Sequence, residues 1–586
     1  MPLFPQFEPQ YTQQLMTDTF GGYNHQLKIP DGEWYDTKNL TTDYAPLLAN
    51  RRKRGNTHLS AVSLLEKDAL AYVAANGTLY YNFQPTPVTG LSAGEKQMVS
   101  MGAYLVIFPD KVYFNTEDQT DYGSLEAHFA PESATYQMVR YDGTAISATY
   151  VQATAPENPH NAEYWIDTSA ETHILKQWSD AQGDWVSVET VYIKITFQDT
   201  VDVPGIFKAY DGVTISGSSV DINGDKIIYD VGGGDGEEEW IMVTGLLDHI
   251  PDDPDTELHI DRTVPDMDYV CESNNRLWGC YYGMYEDTTV NEIYCCALGD
   301  FKNWRQYMGL STDSWTGSVG SDGQWTGAVN YLGYPTFFKE NRIHRVSIST
   351  EGAHQITETV CRGVQKGSSR SLVVVNETLY YKSRTDVCAY QGGFPQGVSA
   401  NFGTEQYHAA VAGAFGSKYY ISMLDDNEDP VLFVYDIAKG IWLHEDDLRV
   451  SAFARVDDEL FAIADSNIYT LRGSEPVSGT TLESEVAWEA VSGIEYYEYP
   501  ENKRVSRYNI RLKMEPGAEM TVYMQYDSDG TWRYAGKITA DRTHTDSYLF
   551  PVRPHRCDHM QIKLTGTGDV RIYSIAKILE VGSDYR

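Results

Sequence analysis

The densest set of reactive side-chain types in the chain is His555-Arg556-Cys557-Asp558-His559. On a strand, a separation of four places His555 and His559 on one face, which permits a shared metal or a Cys–His pair. No further ligand stands at metal spacing, so these residues read as a structural turn. The acidic stretches Asp252-Asp253-Pro254-Asp255 and Gly232-Gly233-Gly234-Asp235-Gly236-Glu237-Glu238-Glu239 lack the ligand spacing and terminal Glu of a calcium-binding loop, and read as solvated loops. The seven cysteines (Cys271, Cys280, Cys295, Cys296, Cys361, Cys388 and Cys557) are odd in number and contain no C-x-x-C pair. They read as reduced thiols of a protein made in a cytosol. No nucleophile elbow, P-loop, H-E-x-x-H or dinucleotide fingerprint occurs. No catalytic residue, cofactor or metal is therefore assigned, and the chain is expected not to be an enzyme.

Two sets of residues have binding chemistry. Arg51-Arg52-Lys53-Arg54 is the densest positive cluster in a chain of formal charge -38, and it attracts a phosphate or an acidic partner, or else an intramolecular carboxylate. Trp165, Trp178 and Trp185, with Trp532 further on, offer flat apolar faces that stack on sugar rings.

The elements that must hold these residues are short strands. Asn76-Gly77-Thr78-Leu79-Tyr80-Tyr81 returns as Asn275-Arg276-Leu277-Trp278, Asn341-Arg342-Ile343-His344 and Asn376-Glu377-Thr378-Leu379-Tyr380-Tyr381. Looser copies begin at Asp110, Gly416 and Asp458. Each is a turn former followed by alternating apolar and aromatic residues, the signature of a β-hairpin. A hairpin cannot bury its own apolar face, and the radial solution is a β-propeller, here of about six or seven blades. The aromatic content of 13%, led by 43 Tyr, suits pleated half-buried surfaces.

The expected fold is thus all-β: an irregular arm over 1–56, propeller over 57–132, an inserted small β domain over 133–262, propeller again over 263–472, and a β-sandwich over 473–586. The sandwich is read from long alternating strands such as Arg507-Tyr508-Asn509-Ile510-Arg511-Leu512-Lys513-Met514. The opening Met1-Pro2-Leu3-Phe4-Pro5-Gln6-Phe7 lacks a basic region followed by an apolar stretch, so no signal peptide is expected, and no apolar run reaches membrane-spanning length.

The arm carries Phe20-Gly21-Gly22-Tyr23-Asn24, then Asp31-Gly32-Glu33, Asn39-Leu40, Pro46-Leu47-Leu48 and Arg51-Arg52-Lys53-Arg54-Gly55. With the closing Arg556-Cys557-Asp558-His559, Gly566-Thr567-Gly568-Asp569 and Gly582-Ser583-Asp584, this order resembles tail proteins of tailed bacteriophages, in particular the propeller-bearing nozzle (tail tubular B) family of short-tailed phages. The resemblance covers most of the chain but not the insert. It implies a virion tail protein made in a bacterial host, assembled as a homo-oligomeric, hexameric ring that retains and then conducts the genome. Its partners would be portal or adaptor proteins, other tail proteins, tail fibres and the host surface, with phage DNA passing unread through the channel. Phe20, Gly21, Gly22, Asn24, Arg51, Arg52 and Arg54 are then the expected contacts between copies. An acidic lumen would let phosphates pass without adsorbing. Removing 1–55 is expected to leave a folded monomer.

A second expectation, from another class, is glycan binding at a host surface through the insert or the sandwich, where exposed Trp165, Trp178, Trp185 or Trp532 would stack on sugar rings. A third follows from Ser314-Trp315-Thr316-Gly317, Ser321-Asp322-Gly323-Gln324-Trp325-Thr326-Gly327 and Asp527-Ser528-Asp529-Gly530-Thr531-Trp532, which resemble the Asp-box turns of sialidase-like propellers. In those enzymes such turns are structural clips. Their catalytic set does not sort out of this sequence, and a carboxylate pair for glycoside hydrolysis has no support from spacing.

Overall fold

The computed structural model describes residues 11–198, 201–234, 237–285, 288–349, 352–497, 499, 502–552 and 555–581. The opening residues 1–7, Asp235 and Gly236 of the glycine tract, and the closing Gly582-Ser583-Asp584 lie outside them.

The hairpin signal builds a seven-bladed propeller. Blades 1 to 6 begin with the strands Ser63–Lys67, Gln97–Met101, Tyr269–Glu272, Gly327–Tyr331, Val373–Val375 and Tyr407–Phe415, and each is a four-stranded antiparallel meander. Blade 7 begins with Val450–Val456 and continues through Glu459–Ala464 and Asn467–Thr470. Its next strand is Gly55–Ser60, drawn from before blade 1, so the two ends of the propeller segment are stitched into one sheet. The first strand of blade 7 also lies against that of blade 1, which closes the circle. Every one of the hairpin copies falls in a different blade. Asn376 and Glu377 both have positive φ (47° and 64°), as do Asn274 and Asn275 (55° and 58°), the left-handed pair that a tight I′ turn requires.

Middle strands of the blades are buried on both faces because each blade is pressed between two others. Glu459–Ala464 and Thr378–Lys382 are buried at every position, and their sequences are accordingly apolar or aromatic runs with little alternation. Cys295 and Cys296 show the same geometry: the first joins the core between blades 3 and 4, the second that between blades 2 and 3. All seven thiols are free.

Between blades 2 and 3 the chain leaves to form the insert. It begins with Ala127–Phe129 and ends with His259–Arg262, which pair antiparallel, so the chain enters and leaves side by side. The insert contains a seven-stranded sheet and a four-stranded sheet, Tyr150–Gln152, Tyr164–Asp167, Ile174–Ser179 and Asp184–Ser187, around one apolar core.

The C-terminal sandwich includes the N-terminal segment, and here the expectation of an irregular arm is corrected. Tyr11–Thr17 and Leu48–Asn50 both pair with Val570–Val581, and Trp34–Lys38 pairs with Ala487–Ser492 in the opposite sheet. The arm thus supplies strands to both layers. The physical reason is edge pairing: the sandwich strands leave unpaired backbone groups that the arm satisfies. The alternation of Lys503–Met514, read as a sandwich strand, appears as regular inward and outward burial.

Candidate functional site

The residues expected to join one copy to another are mostly used inside the chain. Phe20 is buried in the sandwich core and packs on Trp34, ring centres 6.2 Å apart. A Cβ on Gly22 would lie 1.9 Å from the Trp442 carbonyl oxygen, because the arm presses directly on blade 6 there. A Cβ on Gly21 would meet the Glu33 side chain, and the buried Asn24 amide donates to the Glu33 carboxylate. Arg51 makes a two-pronged pair with Glu483, at 2.7 and 3.0 Å. Arg54 binds Glu445 at 2.5 Å and Asp446 at 2.6 Å, and these carboxylates hold its guanidinium firmly charged despite burial. Only Arg52 of the three arginines is exposed. The expectation of a contact surface made by Phe20, Gly21, Gly22, Asn24, Arg51 and Arg54 is therefore corrected: the basic run found its acidic partners on blade 6 and in the segment leading into the sandwich.

The insert does bring its tryptophans together. Strand register places Trp165 opposite Tyr150 and Lys176, and Trp178 opposite Trp185, which puts all five on one face of the four-stranded sheet. Ile166 and Leu175 point the other way, into the insert core. Trp178 and Trp185 meet edge to face at 5.5 Å, and Trp165 meets Trp185 at 5.4 Å. Trp178 and Trp185 are half-buried, whereas Trp165 is 4% exposed and braces the platform without presenting a face.

Polar groups fix this surface. The Trp178 indole donates to Asp180 (2.8 Å) and the Trp165 indole to the Gln152 carbonyl (2.8 Å). Lys176 sits 4.8 Å over the Trp165 ring and 2.7 Å from Asp167. The hydrogen bond from Lys176, helped by Ser169, holds the Asp167 carboxyl down at about 2. The result is an apolar shelf with a fixed charged pair at its rim, a surface able to stack on a sugar ring and hydrogen-bond its hydroxyls. Trp532 lies elsewhere, half-buried beside Lys563, which is 5.1 Å over its ring.

Two other sets acquired geometry. Ser528 contacts His559 Nε2 (2.8 Å), and His559 Nδ1 contacts Asp558 (3.0 Å). Asp527 accepts from the backbone N–H groups of Asp558 and His559, so this corner ties the 527–530 turn to the strand Met560–Thr567. On the propeller axis, Arg370 of blade 5 donates to the carbonyls of Ser451 in blade 7 (2.7 Å) and Lys96 at blade 2 (3.3 Å). Bridging three separated blades requires it to cross the axis at the end where the inner strands begin. Arg370 also pairs with the Glu95 carboxylate, and nothing in the sequence flagged it, since its partners lie on other blades. Among the described residues no cluster of three His, Cys, Asp or Glu side chains is placed to hold a metal, and no helix is long and apolar enough to cross a membrane.

No family model matches this chain, and no curated protein matches it. Solved structures do match. A glycoside hydrolase aligns over 52% of this chain and 96% of its own at 11% identity, TM-score 0.20. A family 43 arabinoxylan arabinofuranohydrolase from Bacillus subtilis, in complex with cellotetraose, aligns over 52% and 94% at 10% identity, TM-score 0.18. A Trypanosoma rangeli sialidase in complex with sialic acid aligns over 90% and 95% at 8% identity, TM-score 0.18. At these values no residue or activity carries across. The expectation that the chain is not an enzyme is withdrawn, because it rested on the absence of familiar motifs, and that absence gives no ground for denying catalysis.

Proposed function

We propose that this protein binds glycans, and that the Trp178–Trp185 platform on the insert is its recognition surface. The observation that carries the reading is the cross-strand pair of half-exposed indoles on the solvent face of a four-stranded sheet, braced by Trp165 and rimmed by Lys176 and Asp167. Indoles already fixed by packing and hydrogen bonds lose little freedom when a sugar stacks on them, which favours binding. Glycan-array binding by the full chain, lost in a Trp178→Ala/Trp185→Ala double variant, tests this. A silent array, or signal unchanged by the double substitution, rejects it.

A second reading places this surface on a bacteriophage tail, in a ring around the genome channel. Its support is the resemblance of the two chain ends to nozzle proteins, together with the pairing of those ends, Tyr11–Thr17 on Val570–Val581, within one sandwich. Because the arm residues are used internally, contacts between copies would come from the outer faces of that sandwich. Electron micrographs of the purified protein decide: rings with an axial hole support the reading, and single particles of one chain oppose it.

A further inference from the structure

Where the N-terminal strands meet the sandwich there is a cavity of about 660 Å3, within the size range of small-ligand sites. Phe20, Trp34, Tyr496, Tyr497, Tyr499 and Tyr508 contribute aromatic wall. At its base lies Lys577, whose side chain is 3% exposed and whose ammonium contacts Glu495 at 2.9 Å and Asp31 at 3.2 Å. The same ammonium is 4.9 Å from the centre of the Tyr497 ring, and Asp31 also accepts from the Thr17 hydroxyl (2.7 Å). Burial pushes the Glu495 carboxyl up against the pull of Lys577, whereas for Asp31 burial is outweighed by Lys577 and Thr17, which hold it down.

The wall also has unused hydrogen-bonding capacity. Trp34 Nε1, Tyr497 Oη, Tyr508 Oη and Glu495 Oε2 are buried and have no hydrogen-bond partner among the described residues. Four such atoms on one cavity exceed what a packed interior leaves unmatched, and they mark a surface built to meet something polar.

We infer that this cavity is a second binding site, for a short uncharged saccharide. Charge selects the class: Lys28 and Lys577 share this wall with Asp31, Glu33 and Glu495, so a ligand charge of either sign meets a like charge. A neutral ring escapes both repulsions, its C–H face rests on the tyrosine and tryptophan rings, and its hydroxyls serve the unpartnered oxygens and indole N–H. The site shares no residue with the Trp178–Trp185 platform and stands or falls separately from it.

The test uses the full chain carrying Trp178→Ala/Trp185→Ala, so that platform binding is removed. Galactose, mannose, N-acetylglucosamine, lactose and maltose are compared with glucosamine and glucuronate by hydrogen–deuterium exchange at 28–34 and 492–497. At least one neutral sugar is expected to protect both segments, the charged sugars are not, and Tyr497→Phe, which removes one hydroxyl and keeps the ring, is expected to weaken protection about five- to tenfold. Absence of protection at 100 mM of every neutral sugar overturns the inference. Equal protection by charged sugars, or an unchanged response in Tyr497→Phe, overturns it as well.

Discussion

Arg54 is 4% exposed and faces two carboxylates at hydrogen-bond distance. Removing the guanidinium leaves buried Glu445 and Asp446 with only the longer ion pairs to Arg51, at 3.8 and 3.6 Å, so Arg54→Ala should cost about 3 kcal/mol in thermal or denaturant unfolding. Arg52→Ala, at an exposed position, should stay within about 0.5 kcal/mol. Equal effects would show that the ion-pair assignment is wrong. His444 adds a pH dependence at the same junction. It contacts Asp36 at 2.9 Å with hydrogen-bond geometry, while Asp447 at 3.5 Å is a looser ion pair that leaves Nε2 without a hydrogen bond. Burial opposes its charge, but the carboxylates prevail and raise its pKa to about 9. A histidine whose folded pKa exceeds its unfolded value of about 6.5 stabilises fully below that value and loses its contribution as pH rises through about 9. The melting-temperature gap between wild type and His444→Gln should therefore shrink from pH 6.5 to 9.5, and a constant gap contradicts the assignment. At this scale the sequence disclosed the basic run but not its partners. Glu445, Asp446 and Glu483 lie some 400 residues away along the chain, and no local pattern encodes which carboxylate a buried arginine meets.

The strands of the N-terminal segment decide whether the sandwich exists. Trp34–Lys38 and Leu48–Asn50 sit in opposite layers, and Phe20, Trp34, Leu40 and Leu48 enter the common core. Deleting 1–55 removes these side chains and uncovers edges in both sheets. The truncated protein is expected to lose cooperative unfolding of the sandwich and to be cleaved within 487–581 by limited proteolysis. A protease-resistant C-terminal fragment would refute this, and would restore the view of the segment as a free arm. The hairpins were legible because a turn former followed by alternating aromatics is a local signal, and each copy marks one blade. The arm was not, since its strands are short, separated by glycine turns and paired with partners at the other end of the chain. Trp165 shows the same limit on the insert: its residue type offered it as a ring to stack on sugar, yet Lys176 and Trp185 cover it in the fold.

The insert has an apolar core of its own; the chain enters and leaves it through one pair of adjacent strands, Ala127 opposite Arg262, and Asn303 and Arg305 of blade 3 hydrogen-bond to it. Joining residue 126 to residue 263 should leave a chain that still unfolds cooperatively, with its propeller intact, because blades 2 and 3 keep their own strands and mutual packing. Loss of all folded signal in that variant would show that the insert is integral to the ring. Overall charge is also a property of the whole: at -38, the chain repels other anionic surfaces at low salt, so a neutral glycan is a better partner for an exposed shelf than a polyanion. The central claim is that two indoles on the insert hold sugar. It is tested most directly by titrating one array-positive glycan into the full chain and into Trp178→Ala/Trp185→Ala by calorimetry. With each stack worth about 0.5–1.5 kcal/mol, the pair is worth about 1–3 kcal/mol, and the double variant should bind about five- to 150-fold more weakly. Equal affinity in the two proteins would contradict the account.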